Sequence, residues 1–182
     1  MIQSIVSIFS PCSGIASEAE FRSVLAMMGS TQVLTRASGW LDLGLADEAL
    51  AELEELTREE LECREALEIK LCAQMENGAW NPASETARLL CLKVTDEPMF
   101  FIHAAFCLHE TGDTLAARNW LLKGPKSLFD MAVFHYNLAC YLWILGDGNG
   151  ARSHLRQAIA MDESFRETAL SDRDLVGIGS LP

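Results

Sequence analysis

Three observations on the sequence predict an all-α protein built from tandem helical hairpins. Glycines recur at a fixed period of 34 residues, at Gly44, Gly78, Gly112 and Gly146. An alanine follows five residues after each of them, at Ala49, Ala83, Ala117 and Ala151. Apolar residues recur three and four positions apart, which is the spacing of one helix face. No segment alternates apolar and polar residues as a strand would, so we expect helices only.

Each repeated glycine is expected to end the first helix of a hairpin, because a residue without a Cβ adopts the left-handed cap conformation at least cost. The second helix then begins two or three residues later. The alanine is expected where the two helices approach most closely, which requires a small side chain. Repeat two carries Pro82 in the first turn of its second helix, where proline is tolerated.

A helical hairpin with a 34-residue period is typical of the tetratricopeptide repeat (TPR), and the chain resembles that family over residues 30–163. The repeats then span 30–63, 64–97, 98–131 and 132–163. The resemblance implies a right-handed superhelical solenoid. The proline that follows the second helix in this family is missing from every repeat. In repeat three, Gly124-Pro125 is expected to end the second helix early, and the next helix is expected to start near Ser127.

Two flanking segments are expected to cap the array, because terminal repeats otherwise expose apolar surface. Residues 1–29 contain a capping box that begins at Ser17, followed by an amphipathic helical pattern that Gly29 is expected to stop. Residues 164–182 form the second flank, and the pattern from Ser164 to Leu175 predicts a short polar helix. The run Tyr-Asn-Leu-Ala-Cys-Tyr over 136–141 resembles the final repeat of bacterial members of the family, which such a tail often follows.

The charge of the chain excludes two classes of partner. The formal net charge is −12, so nucleic acid and anionic membrane surfaces are not expected to bind. Residues 47–68 hold ten carboxylates against Arg58 and Arg64, which gives −8, whereas residues 112–156 carry a local +2. The acidic stretch is interpreted as a solvated helix face, and a docking face for a basic partner is the alternative.

The cysteines predict a reducing compartment. The chain has six cysteines with no close pair, which favours reduced thiols that pack as small apolar side chains. No apolar run is long enough to span a membrane. The protein is therefore expected in the cytoplasm.

The sequence predicts no enzyme. It contains none of the motifs of a serine hydrolase, zinc protease, P-loop or dinucleotide site. His103, His109 and His135, with Cys107, are the best candidate metal ligands, but the six-residue spacing of the first two places them on opposite edges of a helix. No catalytic residue, cofactor or metal site is expected.

The resemblance implies that one face of each first helix lines a concave groove that binds a partner peptide or amphipathic helix. In this chain the principal groove residues are Leu34, Leu41, Met75, Ile102, Phe106, His109, Tyr136, Asn137 and Trp143. Ser38, Glu68, Cys72 and Cys140 occupy the other groove positions. The face is apolar and aromatic in its C-terminal half, which favours an apolar or amphipathic segment as the ligand. The alternative is that these residues are buried by the chain itself or by a second subunit.

The function predicted from the family is that of a non-catalytic adaptor, scaffold or assembly factor. The Lys, Asn and Arg residues with which some members clamp a C-terminal carboxylate are absent from the groove, apart from Asn137. Residues 96–108 also resemble the third repeat of the small acidic chaperones of type III secretion translocators, which gives one alternative. An architectural protein that associates with itself, for instance as a homodimer, is the other.

Overall fold

The computed structural model describes residues 18–179, and helices account for most of them. The helices are α1 (Glu18–Asp42), α2 (Ala46–Leu53), α3 (Arg64–Glu76), α4 (Trp80–Lys93), α5 (Pro98–Glu110), α6 (Thr114–Leu121), α7 (Ala132–Ile144), α8 (Gly148–Met161) and α9 (Ser164–Ser171). Short 3₁₀ segments occupy Glu60–Glu62, Lys126–Asp130 and Arg173–Leu175. The described residues contain no strand, which confirms the all-α prediction.

The helices pack as sequential hairpins, α1 with α2, α3 with α4, α5 with α6 and α7 with α8. The first helices of the second, third and fourth hairpins begin at Arg64, Pro98 and Ala132, which are the residues predicted as repeat starts. First helices of neighbouring repeats also touch, α1 with α3 and α5 with α7. Within residues 18–179, no helix is both long and apolar enough to cross a bilayer.

Glycines in the left-handed conformation end the four first helices. Gly44, Gly78, Gly112 and Gly146 have φ angles of +70°, +65°, +92° and +88°. In the third hairpin the Gly112 N–H donates to the carbonyl of His109 at 2.8 Å, and the Asp113 N–H donates to that of Leu108 at 3.1 Å. These paired bonds satisfy carbonyls that the helix end would otherwise leave without partners. The other three hairpins repeat the same pair of bonds.

The four repeat alanines lie at the helix contacts within the core. Ala49, Ala83, Ala117 and Ala151 are each 0% exposed. A large apolar cluster runs from Leu67 to Ile178 and joins repeats two to four with the C-terminal segment. A separate, smaller cluster around Val33, Leu34 and Leu53 holds repeat one against the start of α3.

The predicted helix stop at Gly29 is wrong, because α1 continues through this residue to Asp42. Gly29 lacks the positive φ of the capping glycines, and a glycine inside a helix costs only about 1 kcal/mol relative to alanine. The hydroxyl groups of Ser30 and Thr31 donate to the carbonyl of Met27, at 3.2 and 2.8 Å, and so bond back onto the same helix. The predicted capping box at Ser17 begins outside the described residues.

Gly124-Pro125 ends the second helix of repeat three early, as predicted, with Leu121 as its last residue. The predicted start of the next helix near Ser127 is wrong, because α7 begins at Ala132. The intervening residues form a 3₁₀ segment that places Leu128 in the core, where it is 0% exposed. A Cβ at Gly124 would collide with the Leu128 side chain. The glycine therefore makes room for a buried anchor rather than for a longer helix.

Candidate functional site

Three columns of residues, spaced 34 apart, run across the first helices α1, α3, α5 and α7. We call them the groove face. The columns are Leu34, Glu68, Ile102 and Tyr136; Ser38, Cys72, Phe106 and Cys140; and Leu41, Met75, His109 and Trp143. Each first helix thus contributes the same three positions to this face, with a different set of side chains in each repeat.

The C-terminal segment of the chain lies on the groove face of the last two repeats. We call residues 164–179 the tail. Its helix α9 packs against α8, and the 3₁₀ segment Arg173–Leu175 then packs against α7. The predicted helix from Ser164 to Leu175 is thus too long, since α9 ends at Ser171. The Asp172 carboxylate accepts the N–H of Asp174 at 2.8 Å, and this local turn competes with helix continuation.

Two side chains of α7 bind the first tail carboxylate. The hydroxyl of Tyr136 donates to Oδ2 of Asp172 at 2.5 Å. The Cys140 thiol approaches the same oxygen at 3.7 Å and acts as a second, weaker donor. The ring of Phe165 also stacks on Tyr136, with centroids 4.7 Å apart. Tyr136 is therefore held by the tail on its face and at its hydroxyl.

The second tail carboxylate binds α5. Nε2 of His109 lies 2.8 Å from Oδ2 of Asp174, and Nδ1 of the same ring lies 3.0 Å from the hydroxyl of Thr114. A carboxylate oxygen accepts, so the Nε2–H of His109 donates to Asp174, while Nδ1 forms the hydrogen bond with the Thr114 hydroxyl. The tail is thereby connected through one imidazole to the first residue of α6.

A further hydrogen bond and buried apolar side chains complete the contacts of the tail. The indole N–H of Trp143 donates to the carbonyl of Val176 at 3.1 Å. Leu175 is 2% exposed, and Ile178 is also buried in the main core. At the rim, Arg173 pairs with Glu110 at 2.6 Å. The tail thus combines polar contacts along its backbone path with buried leucine and isoleucine side chains.

Burial keeps two of the groove donors protonated. Desolvation, with the hydrogen bond to Asp172 as a second cause, raises the pKa of the Tyr136 hydroxyl above its ordinary value. Desolvation and the charge of Asp172 likewise raise the pKa of the Cys140 thiol. Both groups therefore remain neutral donors near neutral pH, and the docked carboxylates supply the negative charge.

In the C-terminal half of the groove face, Tyr136 is 6% exposed and Ile102 is 5% exposed, whereas Asn137 and Trp143 are half-buried. The tail contacts Tyr136 and Trp143, so this part of the groove face is covered by the chain itself, as in the alternative given above. Sequence reasoning missed Asp172 and Asp174. Their only signal was two aspartates spaced by two before a leucine.

The N-terminal half of the groove face is more open. Ser38 and Cys72 are exposed, and Leu41 and Met75 are half-buried. Phe106 is half-buried and meets the edge of Trp80, with ring centroids 5.6 Å apart. Leu34 belongs instead to the small core cluster of repeat one. Ser38 and Cys72 are therefore accessible on this half of the face.

The described residues 18–179 contain no group of three or more side chains placed to hold a metal ion. The predicted candidates are separated: His109 binds the tail, and Cys107 is 0% exposed. His135 instead meets His154, with Nδ1 atoms 2.9 Å apart, and its Nε2 lies 3.0 Å from the carbonyl of Phe129. This pair ties α7 and α8 to the preceding 3₁₀ segment.

The acidic stretch is partly neutralised within the chain. Arg36 of α1 pairs with Glu52 and with Glu55, each at 2.7 Å. Lys93 pairs with Glu62 at 3.5 Å. Other carboxylates of this stretch, such as Glu48, Glu54 and Glu59, are exposed.

No family model matches the sequence, and no curated protein matches it either. Among solved structures, the fold is similar to the crystal structure of a thermophilic TPR protein from Thermus thermophilus. The TM-score is 0.60 and the sequence identity 20%, and the match covers 82% of this chain and 80% of that chain. The chain therefore has the TPR fold, as its 34-residue period predicts. This fold generally serves as a protein–protein interaction module.

Proposed function

We propose that the protein is a non-catalytic interaction module whose groove face binds a short segment of a partner protein. The observation that carries this proposal is the docked tail. The face already holds a short stretch of polypeptide, centred on a 3₁₀ turn, through Tyr136, His109 and Trp143. A surface that binds one such segment through side-chain donors and an apolar anchor has the chemistry to bind another.

The open half of the groove face supports the same role. Exposed Ser38 and Cys72 and half-buried Met75 lie on the columns that the tail uses further along. A partner segment longer than the tail would reach these residues as it continues along the face. The described cysteines are free thiols, which is compatible with the reducing cytoplasm in which we place the protein.

Site-specific photo-cross-linking in the native host tests this proposal. The cross-linking amino acid p-benzoylphenylalanine replaces Ser38 or Cys72, which are exposed on first helices. The matched control is Ser153, an exposed serine on the second helix α8. We expect the same partner protein to be cross-linked from positions 38 and 72 and not from 153.

A cross-linker at a fourth position distinguishes binding at the groove face from binding at the acidic stretch. Glu59 is exposed between α2 and α3, on the acidic surface. Cross-links from 59 without cross-links from 38 or 72 would place the partner on the acidic surface and contradict the proposal. Equal cross-linking from 153 and the groove positions would contradict it as well.

A further inference from the structure

Apart from the ion pair between Arg173 and Glu110, the polar contacts of the docked tail place the donors on the groove face and the acceptors on the tail. The groove face supplies the hydroxyl of Tyr136, the imidazole N–H of His109 and the indole N–H of Trp143. The tail supplies two carboxylates and one carbonyl within residues 172–176, at 2.5, 2.8 and 3.1 Å. Donors on one side and acceptors on the other are what a binding site for an acidic segment requires.

The exposed fraction of each tail side chain shows which of them the groove face contacts closely. Leu175 is 2% exposed, whereas Val176 is 75% exposed, so the leucine is the apolar anchor. The side chain of Arg173 is 71% exposed, although its guanidinium pairs with Glu110, whose side chain is 14% exposed. The contacts thus fix two carboxylates and a leucine in the order Asp–x–Asp–Leu.

We propose that the partner of the groove face carries an acidic segment of this Asp–x–Asp–Leu type, and that residues 172–175 of the tail are its internal stand-in. This inference rests on the proposed function. The charge distribution is compatible with it, because the acidic stretch 47–68 lies in repeats one and two, whereas the tail carboxylates bind side chains of repeats three and four. A segment in trans must displace a tail held at high effective concentration, so the intact chain binds such a partner more weakly than its intrinsic affinity.

A binding experiment with the full chain tests the inference. The test peptide is a fluorescein-labelled copy of residues 169–179, and the comparison peptide carries Asp172→Asn and Asp174→Asn. A tail-release variant of the chain carries Asp172→Ala, Asp174→Ala and Leu175→Ala. The control variant places the same number of alanines at exposed tail positions, Glu167→Ala, Thr168→Ala and Leu170→Ala.

Fluorescence anisotropy should show the test peptide binding the tail-release variant about tenfold or more tightly than it binds wild type or the control variant. The asparagine peptide should bind the tail-release variant about tenfold or more weakly than the test peptide, because it lacks both charge-assisted acceptors. Equal binding of the two peptides, or no binding to the tail-release variant, would overturn the inference and show a permanent cap. Groove cross-links from positions 38 and 72 would still support the proposed function in that case.

Hydrogen exchange on wild type decides the question if the tail-release variant fails to fold. The N–H groups of Leu175 and Ile178 bond to carbonyls within the tail, at 3.2 and 3.0 Å. Excess test peptide should accelerate exchange across 172–178 and leave α8 unchanged, and no acceleration would overturn the inference. Light scattering of wild type supplies one further outcome. A dimer that exchanges its tails would make a second copy of the chain the occupant and would likewise overturn it.

Discussion

His109 and Asp174 are separated by 65 residues in sequence and by 2.8 Å between Nε2 and Oδ2 in the structure. Both side chains are largely shielded from solvent, at 9% and 20% exposed. The imidazole also contacts Thr114, so a single ring links α5, α6 and the tail. The stability of the tail on the groove face therefore depends on an interaction that a double-mutant cycle can measure directly.

We expect His109→Ala and Asp174→Ala each to lower the free energy of unfolding by about 1–3 kcal/mol, since each leaves a partly buried polar partner without its hydrogen bond. The double variant should cost clearly less than the sum of the single variants, because the two changes remove the same contact. Urea denaturation of the four proteins measures the coupling. The exposed pair Arg64–Glu68 is the control, and its cycle should give a much smaller coupling. Additive effects at His109 and Asp174 would mean that the contact does not form in solution.

Tyr136 and Tyr141 provide a matched pair for the second prediction. Both are buried on α7, but the Tyr136 hydroxyl donates to Asp172, whereas the Tyr141 hydroxyl has no hydrogen-bond partner among the described residues. Tyr136→Phe should lower the free energy of unfolding by about 1–3 kcal/mol. Tyr141→Phe should be neutral or stabilising, because it removes a buried hydroxyl that makes no bond. Thermal melts of the two variants provide the test. A larger loss of stability for Tyr141→Phe than for Tyr136→Phe would contradict the hydrogen bond at Tyr136 and the unbonded hydroxyl at Tyr141.

The hairpins were predictable from sequence because their requirements are local and repeated. A left-handed cap favours glycine, and a close helix contact favours alanine. Gly112 and Ala117, five residues apart, therefore mark the turn and the helix contact of their hairpin in the sequence. The same reasoning gave the wrong result at Gly29. A glycine after an apolar helical pattern does not by itself distinguish a cap from a helix interior, where glycine lowers helix stability only slightly. Gly29 has open space around its Cα, so no packing requirement marks it either.

The docked tail was not predictable in the same way. The contact between Tyr136 and Asp172 joins residues 36 positions apart, and no period relates them. The sequence of the tail predicts a polar helix through to Leu175. The helix instead ends before Asp172, whose carboxylate accepts the N–H of Asp174, and a helical pattern does not reveal this local turn. The groove positions recur at the repeat period, but what covers them is set by tertiary contacts that a helical periodicity does not encode.

A third prediction concerns the hairpin contact at Ala117. This residue is 0% exposed where α5 meets α6, so Ala117→Leu should lower the free energy of unfolding by about 1–3 kcal/mol through overpacking. The matched control is Ala160→Leu at an exposed position of α8. It should change stability little, because leucine and alanine have similar helix propensities. Chemical denaturation compares the two variants, and equal stabilities would contradict close packing at the repeat alanines.

The last prediction concerns pH. Burial lowers the pKa of His154, and neighbouring His135 lowers it further while Asp147 acts in the opposite direction. Burial also lowers the pKa of His103. An unfolded histidine titrates near pH ~6.5. As the pH falls below that value, the unfolded chain therefore takes up protons first, and the folded state loses stability until the folded pKa values are also passed.

The free energy of unfolding should consequently decrease as the pH is lowered from about 7 to about 5. His154→Gln combined with His103→Gln should flatten this slope, because the carboxylates that also titrate are common to both proteins and cancel in the comparison. Loss of the bond to His135 will shift the whole curve, so the slope and not the absolute stability is the readout. Ser153→Ala, an exposed change next to His154, is the control and should keep the slope of wild type. If the histidine variant keeps it as well, His103 and His154 titrate alike in the folded and unfolded chains, and the shielding that the structure gives them is not maintained in solution.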